Sequence, residues 1–262
     1  MPIIQNGSYY VFRQSGKNRQ KSAKVMVFVM FLAIVFCVGL SFFAFSKINF
    51  ANKFGLNNFL IFEHKTYFAV SVCQGEKESV LPNQQPLKMS GGAGYVMQRD
   101  EKYFLLANIY DSIDDAQKVC QNLTSFEAEV VKIDLPRLVL GGDYSSQQIS
   151  VLKYCLNVVG RAYKTLSEIS QSFDRGEILE GEAKQKLQVF GTSCQEDKQS
   201  LSNVFGTNCD NIVVCAKIFL NETISNISAC GLSTNFASDI KQCLINTIFD
   251  FANFQKSISK GE

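Results

Sequence analysis

The chain has 262 residues, of which 46% are hydrophobic and 19% charged, with 17 Gly and 4 Pro. That composition excludes a disordered chain, which would be poorer in apolar residues and richer in charge, and it excludes a collagen-like one. The net charge of +2 gives no footing for bulk nucleic-acid binding. Charge is nevertheless uneven. Residues 1–24 carry Arg13, Lys17, Arg19, Lys21 and Lys24 with no acid, leaving 21 basic against 24 acidic residues in the remainder. A basic head on a mildly acidic body points to a membrane.

The segment after that head has the length such a reading needs. Val25 to Phe45 holds 21 residues without a charge, and a helix rising about 1.5 Å per residue makes that run as long as a bilayer core. The alternative is a cleaved signal peptide, whose apolar region and head are normally shorter. Length favours an uncleaved anchor over 25–46. The cations before it, against only Lys47 and Lys53 soon after it, predict a cytoplasmic N-terminus and an extracytoplasmic remainder.

Residues 47–65 are Asn- and Phe-rich and read as a juxtamembrane linker. Thr66–Cys73 alternates Phe68, Val70 and Val72 with Tyr67, Ala69 and Ser71, the pattern of a strand. A polar stretch with Pro82 and Pro86 follows, where the prolines are expected to break a helix. Strands are predicted over Ala93–Gln98 and Lys102–Tyr110, joined by a tight turn at Arg99-Asp100-Glu101. Ser112 with Asp115 reads as a capping box opening a helix with Ile113, Ala116, Val119, Cys120 and Leu123 on one face. Glu129–Ile133 is the fourth strand and Pro136 ends the unit. One helix would leave such a sheet with one covered and one open face.

Beyond a linker at 137–144, Ile149, Leu152, Leu156, Val159, Tyr163 and Leu166 recur at heptad-like spacing, predicting one long helix to about Phe173. Leu179, Ala183, Leu187, Phe190, Cys194 and Leu201 continue the phase in a second, and two further helices are expected over 209–229 and 235–256. Four amphipathic helices with short joins over 145–262 predict an antiparallel bundle, with a dimerising coiled coil as the alternative. The fold class is thus α+β: one transmembrane helix, a small antiparallel sheet with a helix on one face, then an all-α bundle.

No constellation for catalysis, a metal or a cofactor emerges. There is a single histidine, His64, and no H-E-x-x-H, G-x-S-x-G or P-loop pattern. Asp114-Asp115 falls in a first helical turn, where acids complement the helix dipole. Eight cysteines lie outside the apolar run, and disulfides and buried thiols stand as equal readings. The expectation is a protein that is not an enzyme.

The residues Gly91-Gly92-Ala93-Gly94-Tyr95-Val96, Lys102-Tyr103, Ala107-Asn108-Ile109-Tyr110 and Asp114-Asp115-Ala116 give the stretch 66–136 its clearest character. It resembles a SPOR (sporulation-related repeat) domain, with Ser71 and Cys73 at positions where that family carries Gln and Gly. The resemblance implies binding of septal or spore-envelope peptidoglycan glycan strands through the open sheet face, in cell division or sporulation. Tyr67, Ser71, Tyr95, Phe104, Leu106 and Asn108 are the expected glycan-binding residues. The alternative is a structural or assembly protein whose helical domain binds a protein partner or itself, with the sheet face covered and no glycan bound.

Overall fold

The strand alternation read at 66–73 gives a strand with two distinct faces, and the elements packed around it decide which of them is covered. The computed structural model describes residues 59–141, 144–207 and 210–259, which belong to one compact unit, Asn58–Glu262. The basic head, the predicted transmembrane helix at 25–46 and most of the 47–65 linker lie outside the described residues. The strands are β1 (Phe59–Phe62), β2 (Lys65–Gly75), β3 (Tyr95–Arg99), β4 (Lys102–Tyr110), β5 (Glu129–Leu135) and β6 (Leu138–Gly141). Short helices α1 (Lys77–Val80) and α2 (Gln84–Met89) flank a 3-10 turn at Leu81–Asn83, and α3 (Ile113–Asn122) precedes β5. The C-terminal half holds α4 (Ser146–Leu156), α5 (Val158–Asp174), α6 (Glu180–Phe205), α7 (Asn211–Gly231) and α8 (Phe236–Ser259).

The main sheet is antiparallel with order β3-β4-β2-β5, and β1 pairs with β6 in a separate ribbon. That ribbon occupies stretches read as linkers: Leu60 and Leu140 are buried, so four-residue apolar runs were enough to form strands once each had a partner. The prolines at 82 and 86 do not abolish helix. Pro82 is the second residue of the 3-10 turn and Pro86 the third residue of α2, first-turn positions where a missing N–H costs little. Ser112 caps α3 by accepting from the Asp115 amide at 3.4 Å. Ser145 and Gln148 cap α4 reciprocally, at 3.2 and 2.8 Å. The long helix predicted over 149–173 is two helices, because the chain turns at Asn157, whose amide closes α4 on Lys153 while its carbonyl accepts from Gly160 to open α5.

The sheet is covered on both faces. Val70, Val72, Leu105 and Ala107 pack beneath α1, α2 and α3 in one cluster with Val80, Leu87 and Ala116. Tyr67, Ala69, Leu106, Ile109, Val131 and Ile133 belong instead to the core of the helical half. The expectation of a helix on one face and an open second face is therefore corrected: α5 and α8 lie against the second face. Sheet and helices share one hydrophobic core. Polar ties reinforce it. Lys241 on α8 donates to the Gly91 carbonyl at 2.7 Å and pairs with Asp174 at 2.8 Å, Lys88 donates to Gln242 at 2.7 Å, and Gln255 donates to the Pro136 carbonyl at 2.9 Å.

Among the described residues one helix, α7, is long and apolar enough to cross a membrane. It packs between α6 and α8 with Phe219, Leu220, Thr223 and Ile227 in the core. The seven described cysteines are all free thiols, and Cys155, Cys194, Cys230 and Cys243 are buried. For those four the buried-thiol reading is the one that fits.

The β3–β4 turn is a two-residue loop between the paired Arg99 and Lys102, with Asp100 (φ 48°) and Glu101 (φ 65°) both left-handed. That backbone suits Asn-Gly, and a side chain with a Cβ is strained there. Asp100→Asn with Glu101→Gly is expected to stabilise the protein by about 1 kcal/mol, read as a raised urea midpoint. An unchanged midpoint would show that contacts of the two acidic side chains offset the backbone strain, and a lowered one that they outweigh it.

Candidate functional site

The six residues expected to bind glycan do not form an accessible face. Tyr67, Ser71 and Leu106 are fully buried. The Tyr67 ring lies 5.2 Å from that of Tyr163 on α5, and the Tyr95 ring stacks at 5.1 Å on Phe249 of α8. Phe104 is half-buried against the same core. Asn108 leaves the set altogether. On β4 an extra residue, Ala107, sits between Leu106, opposite Ser71, and Asn108, opposite Val70. This bulge shifts the alternation by one, so the Asn108 side chain donates to the Tyr110 hydroxyl at 3.1 Å, on the α3 side. A one-residue slip exchanges the faces, which strict alternation from the sequence could not foresee.

Three clusters of polar side chains invite a chemical reading. At the start of β2, His64 Nε2 lies 3.3 Å from Asp134, which also accepts from Thr66 at 2.7 Å and pairs with Lys132 at 3.1 Å. The Thr66 hydroxyl and then Lys132 hold the Asp134 carboxyl below its ordinary range. The cluster lacks the wiring of a nucleophile, because the hydroxyl points at the carboxylate and not at the imidazole. Inside the bundle, Arg161 pairs with the buried Asp197, whose carbonyl accepts from Cys155 at 3.3 Å. Burial pushes the thiols of Cys155, Cys194 and Cys230 up to about 12, so they stay protonated and poorly nucleophilic. On α8, Asp250 accepts from Asn226 of α7 at 2.9 Å. Burial, and then the charge of Glu222, raise its carboxyl to about 6 despite that hydrogen bond.

The Asp250 shift has a definite sign. The folded-state value lies above the unfolded value of about 3.9, so folding takes up a proton between them. Stability from this group is therefore greatest below about pH 4 and is lost as pH rises through about 6. Asp250→Asn should raise Tm by about 2–4 °C at pH 8 and leave it unchanged at pH 4, with partial solvent access limiting the gain. Equal gains at both pH values would show that the carboxylate charge is not the cause.

Surface grooves remain. A groove of about 560 Å³ at the far end of β2 is lined by Cys73, Asn83, Glu127 and Glu129, and a smaller one of about 210 Å³ between α7 and α8 by Asn226, Asp239, Gln242 and Asn246. The largest of the three, about 720 Å³, runs between β3, β5 and the C-terminal half of α8. A long side chain spans the two sheet edges here, with Arg99 on β3 donating to the Lys132 carbonyl on β5 at 2.9 Å. Tyr95 is the one expected site residue that lines this groove. Arg99, Lys132, Arg137 and Lys256 also line it, a set spread over three parts of the sequence with no linear motif to announce it. No protein-family model, curated protein or solved structure matches the chain. Among the described residues no cluster of His, Cys, Asp and Glu is arranged to hold a metal ion.

Proposed function

We propose that the chain is a membrane-anchored, non-catalytic assembly protein of the cell envelope, whose body engages a protein partner while its sheet serves as an internal wall. The covered face supports this reading most directly: the residues that would meet glycan, Tyr67, Ser71 and Leu106, are fully buried. Sugar recognition needs rings and polar groups that a chain of hydroxyls can reach. The anchor rests on the apolar run 25–46 and the five cations before it, with the N-terminus cytoplasmic.

A second reading keeps peptidoglycan as the ligand. The order strand, helices, two strands, helix, strand in a sheet ordered β3-β4-β2-β5 agrees with the SPOR-like resemblance of 66–136. Fold alone does not carry function, and on this reading the glycan would need a route to a buried face.

Sedimentation with purified peptidoglycan sacculi separates the two. The detergent-solubilised full chain is expected to stay in the supernatant; pelleting with sacculi would overturn the assembly reading in favour of the glycan one. Topology is tested separately by a reporter active only outside the cytoplasm. It should work when fused after Glu262 and fail when fused within residues 1–24.

A further inference from the structure

We propose that the groove between β3, β5 and α8 is the partner site, and that it takes an extended acidic peptide segment of another protein. The proposal rests on the assembly reading and names the chemistry of its partner. Charge comes first. Of the residues lining the groove, Arg99, Lys132, Arg137 and Lys256 are basic and Asp134 alone is acidic. Asp134 is already engaged by Thr66 at 2.7 Å and Lys132 at 3.1 Å. Outside the groove, Asp100 lies 3.7 Å from Arg99 and Glu63 3.7 Å from Arg137, in exposed pairs that contribute little and exchange readily. A carboxylate on a ligand can replace either one, and the guanidinium fork suits two-point contact.

Shape comes second. Both strands that flank the groove are edges of the sheet, so each has a row of backbone groups without a neighbouring strand, of which the Lys132 carbonyl already accepts from Arg99. An extended peptide supplies the missing hydrogen-bonding groups, and its alternate side chains reach opposite walls. The lining is divided between an apolar part, the half-buried Tyr95 and Phe249 over the core residues Met97 and Ile133, and the four cations. A peptide alternating acidic with aliphatic residues matches that division. A sugar or a nucleobase matches it less well. Tyr95 and Phe249 stack on each other at 5.1 Å and 11°, so one face of each ring is already taken.

The test is a fluorescence titration of the detergent-solubilised full chain. The probe is a short labelled peptide alternating Asp with Leu, compared with its Asn/Leu counterpart, with oligogalacturonate as an acidic sugar and with a single-stranded oligonucleotide. The Asp/Leu peptide is expected to bind best, more weakly as salt rises, with Arg137→Gln and Lys132→Gln each lowering affinity about tenfold at unchanged Tm. Equal binding of the Asn/Leu peptide, no binding of either peptide, or indifference to both substitutions would overturn the proposal. Tighter binding of oligogalacturonate or the oligonucleotide would also overturn it, and give the groove to that ligand. Failure here leaves the assembly reading standing. That reading falls only if the chain pellets with sacculi.

Discussion

Leu106→Ala is expected to destabilise the protein by about 2–5 kcal/mol, the usual range for opening a cavity where a leucine was enclosed. Leu106 has no solvent exposure and sits in the core that the sheet shares with the helical half. An open sheet face would make the same substitution nearly harmless, because an exposed leucine leaves no cavity behind. Its neighbour Leu105 is equally buried but points the other way, into the cluster under α1, α2 and α3. Leu105→Ala should therefore cost a similar amount, and the two adjacent residues test the two faces independently. Urea denaturation of both variants measures this. A large loss for Leu105→Ala with a negligible one for Leu106→Ala would mean that α5 and α8 do not close the second face in solution.

Removing Arg161 should be just as damaging, for an electrostatic reason. Its guanidinium pairs with Asp197, whose side chain is only 5% exposed, at the junction of α5 and α6. Arg161 also lies over the Tyr154 ring at 4.4 Å, which fixes its direction. Arg161→Met leaves a carboxylate inside the bundle with no counter-charge, and such half-broken pairs typically cost about 3–5 kcal/mol. Replacing both partners, Arg161→Met with Asp197→Leu, removes the stranded charge as well as the attraction. The double variant is expected to recover most of the loss, since apolar replacement of a buried pair is often neutral. Denaturant midpoints for the two single variants and the double complete the cycle. A double variant that loses the sum of the single effects would show that the pair contributes through packing and not through charge.

These two sites also mark how far the sequence could be read. Period-two alternation placed Leu105 and Leu106 on opposite faces, and heptad spacing placed Leu152, Leu156, Val159 and Leu166 in the bundle core. Both inferences are local, because a strand repeats every two residues and a helix nearly every four. Leu179 shared the helical phase yet is 81% exposed, because it precedes α6 and the period holds only inside a helix. The ribbon of β1 and β6 went unseen because Phe59–Phe62 and Leu138–Gly141 are too short to announce a period and become strands only by pairing with each other.

The sequence by itself determined the type of the longer elements, the α+β class, the uncharged run at 25–45 with its basic flank, and the face on which most core residues lie. Tertiary structure alone decided what those faces touch. The apolar set Tyr67, Ala69 and Leu106 is compatible with an open platform or an interior wall. The choice between them was made by α5 and α8, which begin about 90 and 170 residues beyond Tyr67 in the chain. The Ala107 bulge, the meeting of Arg99 with Lys132, and the gathering of four cations along one groove are of the same kind. Each depends on how a curved sheet wraps a distant helix. Hydrophobic periodicity records only that a side chain is to be buried; which neighbour buries it is set by the packing of the whole chain.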